Sequence, residues 1–119
     1  MYECHSILEN SKFKKAKEFH LDSIKIIDEI KPANYVKDQL GRASMSVVLN
    51  IAEGSGKFSK PDRRSFYVIA RASIFECVAI LDILHDKDKL SLNDFNALLL
   101  KADELSRMLY AMISNLSAT

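Results

Sequence analysis

"LNIAEGSGKFSKPDRRSFYVIARAS", residues 49–73, joins two apolar runs through a hinge of small and basic residues. On the C-terminal side of the hinge, Ser59 and Asp62 stand three apart, the spacing of a capping box. Pro61 falls in the first turn that follows, where its missing N–H costs little. A helix therefore starts near residue 59. On the other side, Gly54 and Gly56 close the preceding apolar run, and their spacing predicts a helix C-cap and an open turn in which positive φ is cheap. Helix, short turn, helix is the local reading.

Working outward, Phe66, Ile69, Ala70, Ser73, Cys77, Ile80, Leu81 and Leu84 run along one face of the following segment, to about residue 85. Beyond it, Ser91 and Asp94 repeat the capping spacing, with Leu90 and Phe95 at the positions of a hydrophobic staple. From Phe95 through Leu98, Ala102, Leu105 and Leu109 to Leu116, a 3.6-residue period marks one amphipathic helix over 91–116. Upstream, Val36, Leu40, Ala43, Val47 and Ile51 form a stripe over 33–54, opened by Pro32. Phe13, Ala16, Phe19, Ile24, Ile27 and Ile30 give a weaker one over 11–30. The gaps are short, so successive helices are expected to be antiparallel neighbours. The fold class is all-α, an up-down-up-down four-helix bundle in one domain spanning 1–119.

Composition agrees. Hydrophobic residues make up 48% of the chain and charged residues 28%, the balance of a globular protein. Three glycines and two prolines are too few for many short strands and their turns. The N-terminal "MYECHSILENSK" has no apolar core of a signal peptide, and no stretch approaches the ~20 apolar residues of a membrane span. A cytoplasmic location without membrane contact is expected. Cys4 and Cys77 do not make a disulfide framework.

The two middle helices carry more apolar residues than one core can use. Met45, Val48, Leu49 and Ala52 spread around the second stripe, and Val68, Ile74, Phe75, Val78 and Ile83 around the third. A helix of a four-helix monomer should be polar on its outer face. The excess predicts a second buried face, hence a homo-oligomer.

At this point the stretch "QLGRASMSVVLNIAEGSGKFSKPDRRSFYVIARASIFE" resembles a family of small four-helix-bundle proteins. They are the S23 or intervening-sequence proteins, first noticed in intervening sequences of bacterial 23S ribosomal RNA genes. The matching positions are Gln39, Arg42 and Ala43, then the block Asn50, Ile51, Ala52, Glu53 and Gly54. A basic linker follows, and then Ile69, Ala70, Arg71, Ser73 and Glu76. Val48 stands where the family commonly has Pro, Ala72 where it has Gly, and the family's Trp in the first helix is missing. The resemblance implies a bundle that assembles into a ring-like homopentamer. It also implies kinship with the accessory variability protein of diversity-generating retroelements, a basic pentameric barrel that binds nucleic acid and a reverse transcriptase.

Two groups of residues stand out as candidate sites. Asn50, Glu53, Arg71, Ser73 and Glu76 place polar groups on otherwise apolar helices, with Asn50/Glu53 and Ser73/Glu76 each on one helix face. They are expected to form a structural clasp in which Arg71 meets a carboxylate across the helix interface. Glu53 and Glu76 as an acid/base pair have no nucleophile or histidine beside them, so no catalytic residue and no enzyme is expected. Cys77, Asp82, His85 and His20 offer only one imperfect i, i+3 pair, short of a bundle metal site; no metal and no cofactor is expected. "GSGKFSK" lacks the spacing of a phosphate loop and follows a helix.

The net charge is only +1, yet residues 57–71 carry Lys57, Lys60, Arg63, Arg64 and Arg71 against Asp62 alone. Local, outward-facing charge of this kind predicts contact with RNA or DNA phosphates through Lys57, Lys60, Arg63 and Arg64, weak in one copy and additive on a ring. Phe58 and Tyr67 offer faces for unpaired bases, although aromatic residues so close to a helix more often pack. The alternative is a protein–protein interaction scaffold that docks a partner such as a polymerase and binds no nucleic acid.

Overall fold

The computed structural model describes residues 3–117. A short helix α1 (Glu3–Leu8) precedes four long ones: α2 (Ser11–Ile30), α3 (Asn34–Ser55), α4 (Lys60–Asp86) and α5 (Leu92–Ser117). There is no strand among the described residues. The long helices start and stop within a residue of the expected positions, and α1 is an addition that the weak pattern of its sequence did not signal.

Side-chain caps set the boundaries. Asn10 Oδ1 accepts from the backbone N–H groups of Lys12 (2.9 Å) and Phe13 (3.1 Å), which opens α2. Lys31, left-handed at φ 48°, closes it, and Pro32 prevents continuation. Ser59 Oγ accepts from Asp62 N–H (3.2 Å) and Ser91 Oγ from Asp94 N–H (3.1 Å), so both predicted capping serines open their helices. Between α4 and α5, Lys89 N–H reaches Leu84 C=O and the His85 ring bonds Leu90 C=O at 2.9 Å. The same ring stacks on Phe95, 5.1 Å between centroids. His85 is thus committed to closing this turn.

Cross-contacts fix the directions. Lys15–Glu104 (2.7 Å) and Lys101–Glu18 (3.1 Å) run α2 and α5 antiparallel. Paired contacts do the same elsewhere: His20–Ser44 with Asp28–Lys37 for α2/α3, Ser46–Ser73 with Gln39–Glu76 for α3/α4, and Arg71–Ser106 with Arg64–Ser117 for α4/α5. The four long helices therefore neighbour one another in chain order, with α5 returning to α2. One core fills the space between them, built from Ala16, Phe19 and Ile27, Leu40, Ala43, Val47 and Ile51, Tyr67, Ile74 and Leu81, and Leu98, Leu105 and Leu109.

One stripe differs from its expectation. The inward face of α4 is Tyr67, Ala70, Ile74, Cys77, Leu81 and Leu84, whereas Ile69 points outward. Tyr67 is fully buried and its hydroxyl shares a 3.1 Å hydrogen bond with Ser55. The cause lies in α3. Gly54 is a helical residue, not a cap, and a Cβ there would sit 2.6 Å from Tyr67 Cε1. Neither Gly54 nor Gly56 has positive φ. Gly54 is small because the Tyr67 ring lies against its backbone.

Candidate nucleic-acid interface

The α3–α4 hinge and the first turns of α4 carry the basic residues. Lys57 and Lys60 are exposed, and Lys57 Nζ lies 5.2 Å above the Phe66 ring. Arg64 is exposed and donates from Nε to Ser117 Oγ at 2.6 Å, which ties the start of α4 to the end of α5. Arg63 is half-buried, its Nε enclosed and without a hydrogen-bond partner among the described residues. Ion pairs occupy Lys14, Lys15, Lys37, Lys101 and Arg107 elsewhere, yet none of the five cations in 57–71 makes one among the described residues. Asp62, the one acid in that stretch, sits in the first turn of α4 beside the helix dipole. Of the two aromatic residues weighed for base contact, Tyr67 is in the core and Phe58 is fully exposed on the hinge.

The polar clasp is divided. Asn50 Nδ2 donates to Ser46 C=O (2.8 Å) and Ser46 Oγ (3.0 Å), and Ser46 shares a 2.9 Å bond with Ser73. Gln39 Nε2 donates to Glu76 at 3.0 Å farther along the same seam. Asn50, Ser73 and Glu76 thus mark the outer edge of α3/α4. Glu53 is exposed and joins no hydrogen bond with them. Arg71 lies on the other shoulder of α4, where Nε donates to Ser106 C=O (3.3 Å) and the guanidinium lies 4.7 Å from the Phe75 ring and 5.3 Å from the Tyr110 ring. It meets no carboxylate among the described residues. The i, i+3 spacing shows which residues share a helix face, but not which neighbouring helix that face meets.

The residues weighed as metal ligands also lie apart. Cys77 is in the core, and burial, helped by the Glu76 carboxylate, pushes its thiol up to about 12. His20 bonds Ser44 at 2.7 Å, and burial lowers its pKa. Asp82 is exposed. The described residues hold no group of three or more His, Cys, Asp or Glu that could bind a metal ion. Nor is any of their helices long and apolar enough to cross a membrane.

Taken together, the molecule is an all-α protein of four long helices with a basic hinge between the middle two. The family model of the 23S rRNA-intervening sequence proteins matches residues 9–111, and the chain belongs to that family. A crystal structure of a protein of unknown function, of the S23 ribosomal protein family from Bacteroides thetaiotaomicron VPI-5482, shares the fold. It aligns with a TM-score of 0.79 at 21% identity, over 86% of this chain and 97% of that one. No curated protein matches.

Proposed function

We propose that the protein is a non-enzymatic, cytoplasmic four-helix bundle, up-down-up-down, that self-associates and binds nucleic-acid phosphates with Lys57, Lys60, Arg63 and Arg64. The observation that carries this is the absence of any ion pair on those cations among the described residues, next to a helix N-terminus that itself favours anions. Self-association is supported by the α3-side shoulder of α4. Ile69 and Ile83 stand exposed there, and Met45 and Leu49 of α3 are exposed too, all four half or nearly half uncovered. A ring joins two different patches of neighbouring copies. Leu92 and Leu100 on α5 offer the second. A homopentamer is the assembly expected from the resemblance to the family, and it would repeat the basic hinge around one rim, where weak contacts add.

The test is the variant K60E/R63E/R64E, read by retention of mixed RNA and DNA at two salt concentrations and by light scattering. Loss of retention with the solution mass intact is the expected result, and the wild type should release nucleic acid as salt rises. Retention unchanged by the triple substitution would refute phosphate binding at the hinge.

A second reading is favoured by the apolar cleft of about 340 Å³ between the start of α3 and the end of α4, lined by Tyr35, Val36, Gln39, Ile80, Ile83 and Lys87. On that reading the protein is a scaffold that docks a protein partner such as a polymerase, and the hinge charges are irrelevant to it.

A further inference from the structure

We propose that the nucleic acid bound is an unpaired strand, held in the groove between α4 and α5 where Arg71 lies against two aromatic rings; this rests on phosphate binding at the neighbouring hinge. The groove, of about 320 Å³, is lined by Arg64, Val68, Arg71, Phe75, Tyr110 and Ile113. Arg64 and Arg71 are seven residues apart, two helical turns on one face, so their charges recur about 10 Å apart along α4. Each is anchored through Nε alone, Arg64 to Ser117 Oγ and Arg71 to Ser106 C=O. Their terminal nitrogens make no hydrogen bond or ion pair among the described residues, so the donors that suit a phosphate are free.

The aromatic content distinguishes this groove from a simple basic patch. Phe75 is 51% exposed and Tyr110 60%, and both rings face the Arg71 guanidinium. Burying these rings against the core would serve stability better than leaving half of each in water. A duplex hides its base faces and offers such rings nothing to stack on, whereas an unpaired base offers a π-face of any sequence. Phe58, fully exposed on the hinge and flanked in sequence by Lys57 and Lys60, offers a free ring at the other end of the track. From Lys60 to Arg71 the helix rises about 16 Å, so a strand laid along α4 passes Lys60, Arg64 and Arg71 in order, with Phe58 and Tyr110 at its two ends. The track leaves free the α3-side shoulder to which self-association is assigned.

The experiment is fluorescence anisotropy of the full chain with a labelled single strand of about 15 nucleotides, as RNA and as DNA, and with the matching duplex. Wild type, Tyr110→Ala, Tyr110→Phe, Arg71→Lys and K60E/R63E/R64E are compared, with thermal melts to confirm that each is folded. The expected result is tighter binding of the single strand than of the duplex. Tyr110→Ala should weaken the single strand by about fivefold or more and leave the duplex unchanged, while Tyr110→Phe, which keeps the ring, retains affinity. Arg71→Lys, which keeps the charge and loses the plane, should behave like Tyr110→Ala. Equal affinity for duplex and single strand, or indifference of the single strand to Tyr110→Ala, overturns the groove. If K60E/R63E/R64E still abolishes binding in that case, phosphate contact at the hinge survives. Failure of the wild type to bind either form overturns both.

Discussion

Replacing Gly54 by alanine tests the close approach of α4 to α3. The added Cβ would sit 2.6 Å and 2.9 Å from two carbons of the Tyr67 ring, closer than real Cβ atoms essentially ever come, and a tight 3.1 Å from Phe66 Cβ. The ring has nowhere to go, because it is 1% exposed and its hydroxyl is bonded to Ser55. Either α3 and α4 separate or the ring moves and gives up that bond. Overpacking of this kind costs about 1–3 kcal/mol and the lost hydrogen bond about 1, against a helix-propensity gain of at most about 1. The net is a loss of about 1–3 kcal/mol, or a drop in Tm of roughly 5–15 °C for a domain of this size. Gly41, also within α3, is the matched control. A Cβ there meets only Ile24 Cδ1 at 3.7 Å, an ordinary contact, so Gly41→Ala should raise Tm by roughly 2–6 °C. Thermal and denaturant melts of both variants give the answer. Tyr67→Leu, which removes the ring, should shrink the cost of Gly54→Ala by about 1 kcal/mol or more in a double-mutant cycle. If Gly54→Ala stabilises as Gly41→Ala does, close approach is not why this position is glycine.

Two further outcomes follow from the burial of titrating groups. Cys77, fully buried with its thiol pushed up to about 12, should resist alkylation in the native protein while exposed Cys4 reacts, so intact mass should show one adduct natively and two in denaturant. His20 has its pKa lowered by burial, so between its folded value and 6.5 the unfolded chain binds more protons. Stability should therefore fall as pH is lowered through 6.5, and His20→Asn should reduce the drop in denaturant midpoint between about pH 7.5 and about pH 5.5. An unchanged drop in that variant would show that His20 does not carry it.

Helix limits were legible because capping chemistry is local. Ser59 and Ser91 reach backbone donors three residues away, and nothing outside those turns decides the outcome. The rotation of α4 was not legible for the opposite reason. A helix that is apolar around most of its circumference offers little contrast between its faces, and the inward one was selected by the space above Gly54 and the hydroxyl of Ser55, both on another helix. The same holds for the polar residues. Asn50 and Ser73 meet through Ser46, which carries no unusual spacing of its own, and Arg71 found a carbonyl and two rings of α4 and α5 in place of a carboxylate. Sequence showed the hinge as basic; only the fold shows that its cations make no ion pair among the described residues.

The contacts along the α3/α4 seam also explain why polar residues interrupt two such apolar helices. Gln39–Glu76, Ser46–Ser73 and Ser55–Tyr67 lie in succession along one antiparallel register, and the Gly54 notch adds a steric stop beside the last of them. Apolar contacts are non-directional, so two helices studded with Val, Ile, Leu and Ala can slide by a turn at little cost in buried area. Sliding by one turn here would break three hydrogen bonds at once and drive the Tyr67 ring onto a residue with a Cβ. Hydrogen bonds of about 1 kcal/mol each contribute little to net stability, but a shift that leaves the buried Tyr67 hydroxyl unpaired is expensive. The seam therefore fixes register more than it adds stability. Its steric stop lies immediately before the Lys57–Arg64 hinge, so Ser59 sets where α4 begins and the notch that holds Tyr67 sets which way its first cations face. The opening block Asn50–Gly54 and the basic run after it are two parts of one device: the first fixes a helix crossing, and the second is positioned by it.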